Sequence, residues 1–510
     1  MGTPITTSTD SAAESAADNI IIFVPQVDSP AGSGGAKAVD EALDGAISAL
    51  AADGEIKGKL GDVTILHTLG KMAAKRVLVA GLGKPEKLNL DALRDAAAGA
   101  ARRARGVGGS NLAIAIDGDP LGTSEAAQAV VEGVQLGLYR FDRHLSPSDD
   151  RNDIDGVTLH GSDDAALKRG AEVGEILAEA TNFCRDLANE PSNILTPTEL
   201  AARATQWAKD CGLEIEIIEE GEAAELGMGA FLGVAKGSHE PAKFIVMRYS
   251  GGGDEPPIGL IGKGITFDTG GISIKPANNM EAMKQDMSGA AAVIAAAGAI
   301  AKLGLPVNVT VLAPATENMP GGSAIKPGDV LKAMNGKTIE VINTDAEGRL
   351  ILADALSYAN HLGLTPLLDV ATLTGACAVA LGNVATGVMT NDDNLAGEVI
   401  EAGVRVGEKF WQLPMYEEYE EQIKSNVADV KNTGGRLAGA QTAAKLLAMF
   451  SEDTPWAHLD MAGTDDSDKV KGIYVKGATG TPVRTLVSFV RARGGARLAP
   501  RYDSDSLGER

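Results

Sequence analysis

Apolar runs rich in valine, isoleucine and leucine recur along the chain, bounded by glycine, proline or polar residues. Stretches with apolar positions at three- and four-residue spacing fall between them. From residue 19 to 163 the strand-like runs are NIIIFVPQV, GDVTILHTL, KRVLVAGLG, NLAIAID and GVTLHG, and the helical ones are AVDEALDGAISALA, LDALRDAAAGAARRA and AAQAVVEGVQLGLY. This alternation predicts a small N-terminal α/β domain over 19–163. Residues 164–188 place Leu167, Ala171, Val173, Ile176, Leu177 and Ala180 at helical spacing, which predicts a long linker helix ending at Asn189-Glu190-Pro191. Beyond it, LEIEIIEE, AKFIVMRYS, PPIGLIGKG, VNVTVLAPA, TIEVIN, LLDVATLTG, ATGVMTN and PWAHLDMAG alternate with helical segments. Long apolar strands between helices predict a mixed, mostly parallel sheet with helices on both faces, in a larger domain over 164–510.

Two stretches need separate readings. Residues 1–18 are small, polar and acidic, with neither a basic start nor an apolar core. They are expected to be a disordered tail and neither a signal peptide nor a transit peptide. The run AAAVIAAAGAIAKLG at 290–304 is too short to span a bilayer and reads as a buried helix.

A chain of 510 residues is more than one core usually serves, in keeping with two domains. Basic residues number 46 and acidic ones 69, so the net charge is 46 − 69 = −23, which repels nucleic acid and anionic membranes. The three cysteines, Cys184, Cys211 and Cys377, form no CxxC and suggest neither a disulfide framework nor a thiolate zinc site; a reducing, cytoplasmic setting is expected. With six histidines and no HExxH, a metal centre would have to be built mainly from carboxylates. In VLVAGLGKPEK, Gly81-Leu82-Gly83 lacks the third glycine of a dinucleotide turn and reads as a glycine-rich loop after a buried strand.

Chemistry concentrates in two segments. In IEVINTDAEGRLILADALSYA (339–359), a β-branched run and a helical pattern flank Asn343-Thr344-Asp345-Ala346-Glu347-Gly348-Arg349. Asp345 and Glu347, two apart, project from one face of an extended backbone, and Gly348 lets the chain turn. That arrangement suits a cation, although acidic residues in the first turn of a helix read equally well as partners of its dipole. Upstream, residues 258–297 read as a buried strand, a glycine-rich loop and an apolar helix, and carry Lys263, Asp268, Lys275 and Asp286. These groups follow the ends of strands, where sites gather in such sheets. Two-metal hydrolysis needs bridging carboxylates, a water made acidic and a positive group for the developing oxyanion. Four carboxylates and two lysines meet that demand.

NTDAEGRL, preceded by GKGITFDTGGISIKP and MKQDMSGA, resembles the leucine aminopeptidase family of zinc or manganese exopeptidases, with every ligand position of both blocks present. The resemblance extends from about 185 to 490 and is weak over the first 160 residues. It implies that Asp268 and Glu347 bridge two divalent ions, that Asp345 completes one site, and that Asp286 with Lys263 completes the other. It further implies an oxyanion-stabilising role for Lys275 and a bicarbonate ion on Arg349 that passes a proton from the attacking water to the leaving amine. An ordinary salt bridge at the helix start is the other reading of Arg349. Asn343, Met283, Thr372 and Gly375 match substrate-binding positions, and Met461-Ala462-Gly463 lies near the far wall of the pocket. His458 reads as structural. The resemblance implies peptide substrates with a free N-terminus, a preference for leucine and other apolar residues, and a homohexamer. A non-catalytic relative, such as a DNA-binding one, and a metallohydrolase of another bond stay open as alternatives; the first calls for lost ligands or a basic stripe, the second for a histidine-rich or phosphate-binding loop.

Overall fold

A computed structural model describes residues 2–28, 31, 34–116, 121–147 and 152–495. Residues 496–510, the end of the expected second domain, lie outside the described residues. Two compact units divide the chain: Met1–Glu179 with Asp468–Lys476, and Ala180–Ser467 with the described residues from Gly477 onward.

In the first unit β1 (Ile5–Ser8), β2 (Asn19–Val24), β3 (Val63–His67), β4 (Arg76–Gly81), β5 (Asn111–Ala115) and β6 (Gly156–His160) form one sheet. Its order is β1-β6-β5-β2-β4-β3, parallel except for the β3–β4 pair. The continuous apolar run of β2 serves both faces: Ile20, Ile22 and Val24 join the core under the helix Gly34–Ala42, while Ile21 joins the core under the helices Leu90–Val107 and Thr123–Gly137. The segment 1–18, expected to be a disordered tail, instead supplies β1, which pairs with β6 from Ile5↔Val157 to Ser8↔His160. It also supplies a 3-10 turn at Ala12–Glu14, N-capped by Ser11. The β-branched residues of Ile5-Thr6-Thr7 favour the strand that the overall polarity of the segment concealed.

The linker helix runs over Asp164–Asn189, as its periodicity predicts. The division between the units nevertheless falls inside it, after Glu179, and not near residue 164. Its first half lies tightly on the helix Thr123–Gly137: a Cβ at Gly170 would stand 2.0 Å from the Ser124 carbonyl oxygen, and one at Gly174 2.9 Å from that of Gln128. Two glycines on one face thus tie half of this helix to the small sheet.

The second unit holds β7 (Glu214–Glu219), β8 (Lys243–Ser250), β9 (Ile258–Gly262), β10 (Gly264–Asp268), β11 (Asn308–Asn318), β12 (Val330–Lys332), β13 (Thr338–Glu340), β14 (Leu367–Ala371), β15 (Thr386–Thr390), β16 (Phe410–Gln412), β17 (Val430–Lys431) and β18 (Trp456–Asp460). The main sheet has the order β16-β15-β18-β14-β9-β11-β8-β7, with β10 also beside β11, and β12, β13 and β17 form a separate small sheet. β18, β14, β9 and β11 run parallel, and β15 and β8 are antiparallel to their neighbours β18 and β11. Ile261 and Leu312 pack in one core with Leu350, Ile351 and Leu352 of the helix Gly348–His361. The next residue of β9, Gly262, faces the opposite way, where its Cβ would meet the Gly289 carbonyl oxygen at 2.5 Å in the helix Ser288–Lys302. Helices therefore cover both faces of the sheet, as expected. Every residue of the second helix from Ser288 to Ile300 is buried, which explains why it is apolar all round. Among the described residues no helix is long and apolar enough to cross a membrane.

Candidate metal centre

Lys263 lies between β9 and β10, and its backbone is fixed on both sides: its N–H donates to the Val370 carbonyl at 3.0 Å and its carbonyl accepts from Ala290 N–H at 2.9 Å. The side chain passes over Gly348, where a Cβ would stand 2.6 Å from Lys263 Cε. Gly348 thus serves the site by making room for a lysine, not by a special turn conformation. Lys263 Nζ lies 2.8 Å from Asp286 Oδ1 and 2.9 Å from Glu347 Oε1.

Asp268 ends β10, Asp286 follows the 3-10 helix Met280–Gln285, and Glu347 caps the helix Gly348–His361. All three carboxylates are buried and offer ligand oxygens within 4.8 Å of one another. Asp345 joins this group through Lys275, whose Nζ lies 2.7 Å from Asp268 Oδ2 and 2.5 Å from Asp345 Oδ1. The expectation that Asp345 and Glu347 share a face of an extended strand is not met. β13 ends at Glu340, residues 344–345 form a turn, and Glu347 already has helical dihedral angles, φ −80° and ψ −33°. The two carboxylates reach the same cluster by way of the turn.

The charge balance of the cluster is unequal, with four carboxylates facing two ammonium groups. Burial alone would lower the pKa of Lys263, but Asp286, Glu347 and Asp268 outweigh it and hold it well above the ordinary lysine value. Burial, reinforced by neighbouring carboxylates, raises the carboxyls of Asp286 and Glu347. Asp286 Oδ2 is buried without a hydrogen-bond partner. A surplus of buried carboxylate oxygens, one of them unpartnered, is the donor set that hard or borderline divalent cations take.

Arg349, two residues beyond Glu347, is 7% exposed. One guanidinium N–H2 group donates to the Asn432 carbonyl at 2.7 Å, while Nε has no partner. Burial lowers its pKa to about 10, against the pull of Glu347 and Asp460, so it stays cationic at neutral pH. Its bond is to a carbonyl and not to a carboxylate, unlike the salt bridge that is the ordinary alternative at a helix start. Thr372 Oγ1 donates to Asp286 Oδ1 at 2.7 Å, and its carbonyl accepts from Lys263 Nζ at 3.3 Å. Asn343 Oδ1 accepts from Asp345 N–H at 2.9 Å. Met283 is half-buried in the 3-10 helix, and Gly375 is exposed at the start of the helix Gly375–Leu381. His458 is fully buried, with Nδ1 2.5 Å from Asp369 Oδ1, whose other oxygen accepts from Trp456 Nε1 at 2.6 Å. It is thus part of a polar network inside the sheet.

Three further residues hold the site together and carry no sequence signal of their own. Asn432 Nδ2 donates to the carbonyls of Asn343 and Ala346 at 2.6 and 3.3 Å, pinning the turn that bears Asp345. Asp460 accepts from Thr374 Oγ1 at 2.6 Å and from Leu373 N–H at 3.2 Å, fixing the loop that bears Thr372. Asn318, at the end of β11, lies beside Asp268 in register and bonds it. Asn432 directly follows the short strand β17, and Asn318 and Asp460 end β11 and β18, so all three look like ordinary strand ends.

Known proteins resemble the chain over nearly its whole length. Residues 182–487 match the catalytic domain of the cytosol aminopeptidase family, and residues 21–148 match that family's N-terminal domain. The second match corrects the expectation that the family resemblance is weak over the first 160 residues. A probable cytosol aminopeptidase of Alkaliphilus metalliredigens is 46% identical over 468 residues, covering 89% of this chain and 92% of that protein. One from Solibacter usitatus is 48% identical over 439 residues, covering 86% and 91%. Among solved structures, a mutant of tomato leucine aminopeptidase superposes with a TM-score of 0.87 at 35% identity, covering 96% of both chains. The bottromycin maturation enzyme BotP in complex with Mn superposes with a TM-score of 0.83 at 35% identity, covering 94% of this chain and all of that one. The chain belongs to the cytosol aminopeptidase family and is a metal-dependent aminopeptidase.

Proposed function

We propose that the chain is a leucyl aminopeptidase with two divalent ions, manganese or zinc, held by Lys263, Asp268, Asp286, Asp345 and Glu347, Lys263 as the neutral amine that would remain once incoming cations displace its proton. The observation that carries this reading is the buried trio Asp268, Asp286 and Glu347, with ligand oxygens within 4.8 Å and Lys263 against two of its members. Asp268 and Glu347 would bridge the ions, Asp345 would complete one site, and Asp286 with Lys263 the other. Divalent ions there would supply Lewis acidity towards a water and the scissile carbonyl, and a requirement for a free α-amine at that centre would limit cleavage to the first residue.

The protein's own groups do the rest. Lys275, carried on the loop after β10, keeps a positive charge beside Asp268 and Asp345, where it can steady an oxyanion developing on the substrate carbonyl. Arg349 cannot act as a base, because it stays charged. Its unpartnered Nε suits a small anion, and bicarbonate is the one we assign, since it supplies the proton acceptance that the guanidinium lacks. Met283, Thr372 and Gly375 line an apolar side-chain pocket, and Asn343 orients the peptide. We further assign a cytoplasmic location and a homohexameric assembly, in line with the names of the relatives and the family resemblance.

The reading is tested with a leucine anilide and its N-acetylated twin, on protein stripped with a chelator and then given manganese or zinc. Activity should return with metal, be absent on the blocked twin and be lost in Glu347→Gln. Failure of both metals to restore cleavage of the free anilide would overturn it.

A further inference from the structure

Asp268 has two carboxylate oxygens, and the structure gives them different work. Oδ1 accepts from Gly270 N–H at 2.8 Å and from Asn318 Nδ2 at 2.7 Å. Oδ2 receives neither of these bonds and lies 2.7 Å from Lys275 Nζ. Asn318 is 2% exposed. Its amide nitrogen also donates to the Thr344 carbonyl at 3.0 Å and stands 3.5 Å from Glu347 Oε2. One side-chain amide therefore touches both carboxylates assigned above as bridging and the backbone of the turn between Asn343 and Asp345.

The amide is itself held in place. The Asn318 carbonyl accepts from the N–H of Thr269 at 3.0 Å and from its hydroxyl at 2.8 Å. Its Oδ1 lies where a Cβ on Gly271 would come within 2.8 Å, and Gly271 has φ +65°. With φ in the left-handed region and no room for a side chain, the Gly270-Gly271 turn can wrap this amide only as glycine. An asparagine in place of a residue that could ionise keeps the donors fixed at any pH.

We infer that Asn318 is a positioning residue for the metal centre: it occupies Asp268 Oδ1 and so leaves Oδ2 as the oxygen offered to the ions, while holding Glu347 at a set distance from Asp268. This inference rests on the two-metal reading above. Partners that orient ligand carboxylates commonly change metal affinity about 10–100-fold when removed. The structural alternative is that Asn318 only joins β11 to the turn at 344, and then its loss would lower the stability of the metal-free and metal-loaded protein alike and leave metal affinity unchanged.

The test is manganese binding by the full-length chain, measured by equilibrium titration after chelator treatment, with the melting temperature recorded with and without metal. Wild type should bind two ions per chain; if it binds none, the two-metal reading itself fails. Asn318→Ala should bind manganese about 10–100-fold more weakly, with a smaller metal-induced rise in melting temperature. Asn318→Leu, which keeps most of the volume without the amide, should show the same loss. Affinity within twofold of wild type in either folded variant would overturn the inference. So would failure of both variants to fold, because the amide would then be a determinant of the fold.

Discussion

Lys263 Nζ stands 2.9 Å from Glu347 Oε1, with the two side chains 3% and 2% exposed. A charge pair this deep is held together because each member would be costly without the other. Replacing Lys263 by methionine leaves Asp286 and Glu347 facing each other without their ammonium group. Removing one partner of a buried pair costs about 3–5 kcal/mol. Denaturant unfolding of chelator-treated Lys263→Met should therefore show a loss of that order, and added manganese should recover part of it. An unchanged midpoint in the metal-free protein would mean that the carboxylates are already neutral.

Arg349→Ala should lower kcat on the order of 10²–10⁴-fold, the range of a lost proton-transfer partner, with a much smaller change in KM. The guanidinium bonds a backbone carbonyl and its Nε is buried without a partner, so under the proposed function its contribution would be an anion site and not a fold-stabilising ion pair. Steady-state kinetics with and without added bicarbonate decide the matter. Wild type should respond to the anion and the variant should not.

Asp354 gives the protein a pH dependence away from the metal centre. Its two oxygens accept from the N–H groups of Phe231 and Met334, both at 2.8 Å. Burial outweighs these bonds and raises the carboxyl to about 7. A group whose pKa is raised in the folded state stabilises fully below its unfolded value, and that contribution is lost as pH rises through the folded value. Between pH 4 and 7 the term amounts to roughly 4 kcal/mol, taking about 1.4 kcal/mol per pH unit. In Asp354→Asn the melting temperature should vary less over this window than in wild type. The variant should also lose about 1–3 kcal/mol at low pH, since one N–H then faces an amide NH2.

Deleting residues 2–8 should destabilise the first unit. β1 covers the edge of β6 over four residue pairs. At about 1 kcal/mol per ladder hydrogen bond, the loss is roughly 2–4 kcal/mol, and the exposed β6 edge should promote aggregation. Denaturant unfolding and light scattering of the truncated chain measure both effects. Equal stability and solubility would make β1 an ornament of the sheet.

Periodicity was enough to read the architecture of the second unit, because its central strands are buried on both faces and its helices are long. The site was legible for a different reason. Lys263, Asp268, Asp286, Asp345 and Glu347 fall in two short segments whose residue types are chemically unusual together, and the fold brings those segments into contact. What stayed hidden were contacts between distant segments of ordinary composition. Nothing in VLAPATEN marks Asn318 as a neighbour of Asp268, because that contact exists only once β10 and β11 pair in register. Likewise Gly348 looks like a turn glycine until Lys263 is seen lying across it. The division inside the linker helix was hidden too, because periodicity marks where a helix is apolar and not which sheet each half covers.

The proposed ligand set also has a consequence for the making of the protein. Asp268 and Glu347 are 347 − 268 = 79 positions apart, and β11, whose Asn318 lies beside Asp268, is laid down between them. A nascent chain that has emerged only as far as β10 holds one carboxylate of the trio and cannot assemble the cluster. At about 5–20 residues per second, the ribosome needs several more seconds to deliver the rest. A truncated product ending before residue 347 therefore lacks one carboxylate of the trio, with β14, β15, β16 and β18 of the main sheet still to come.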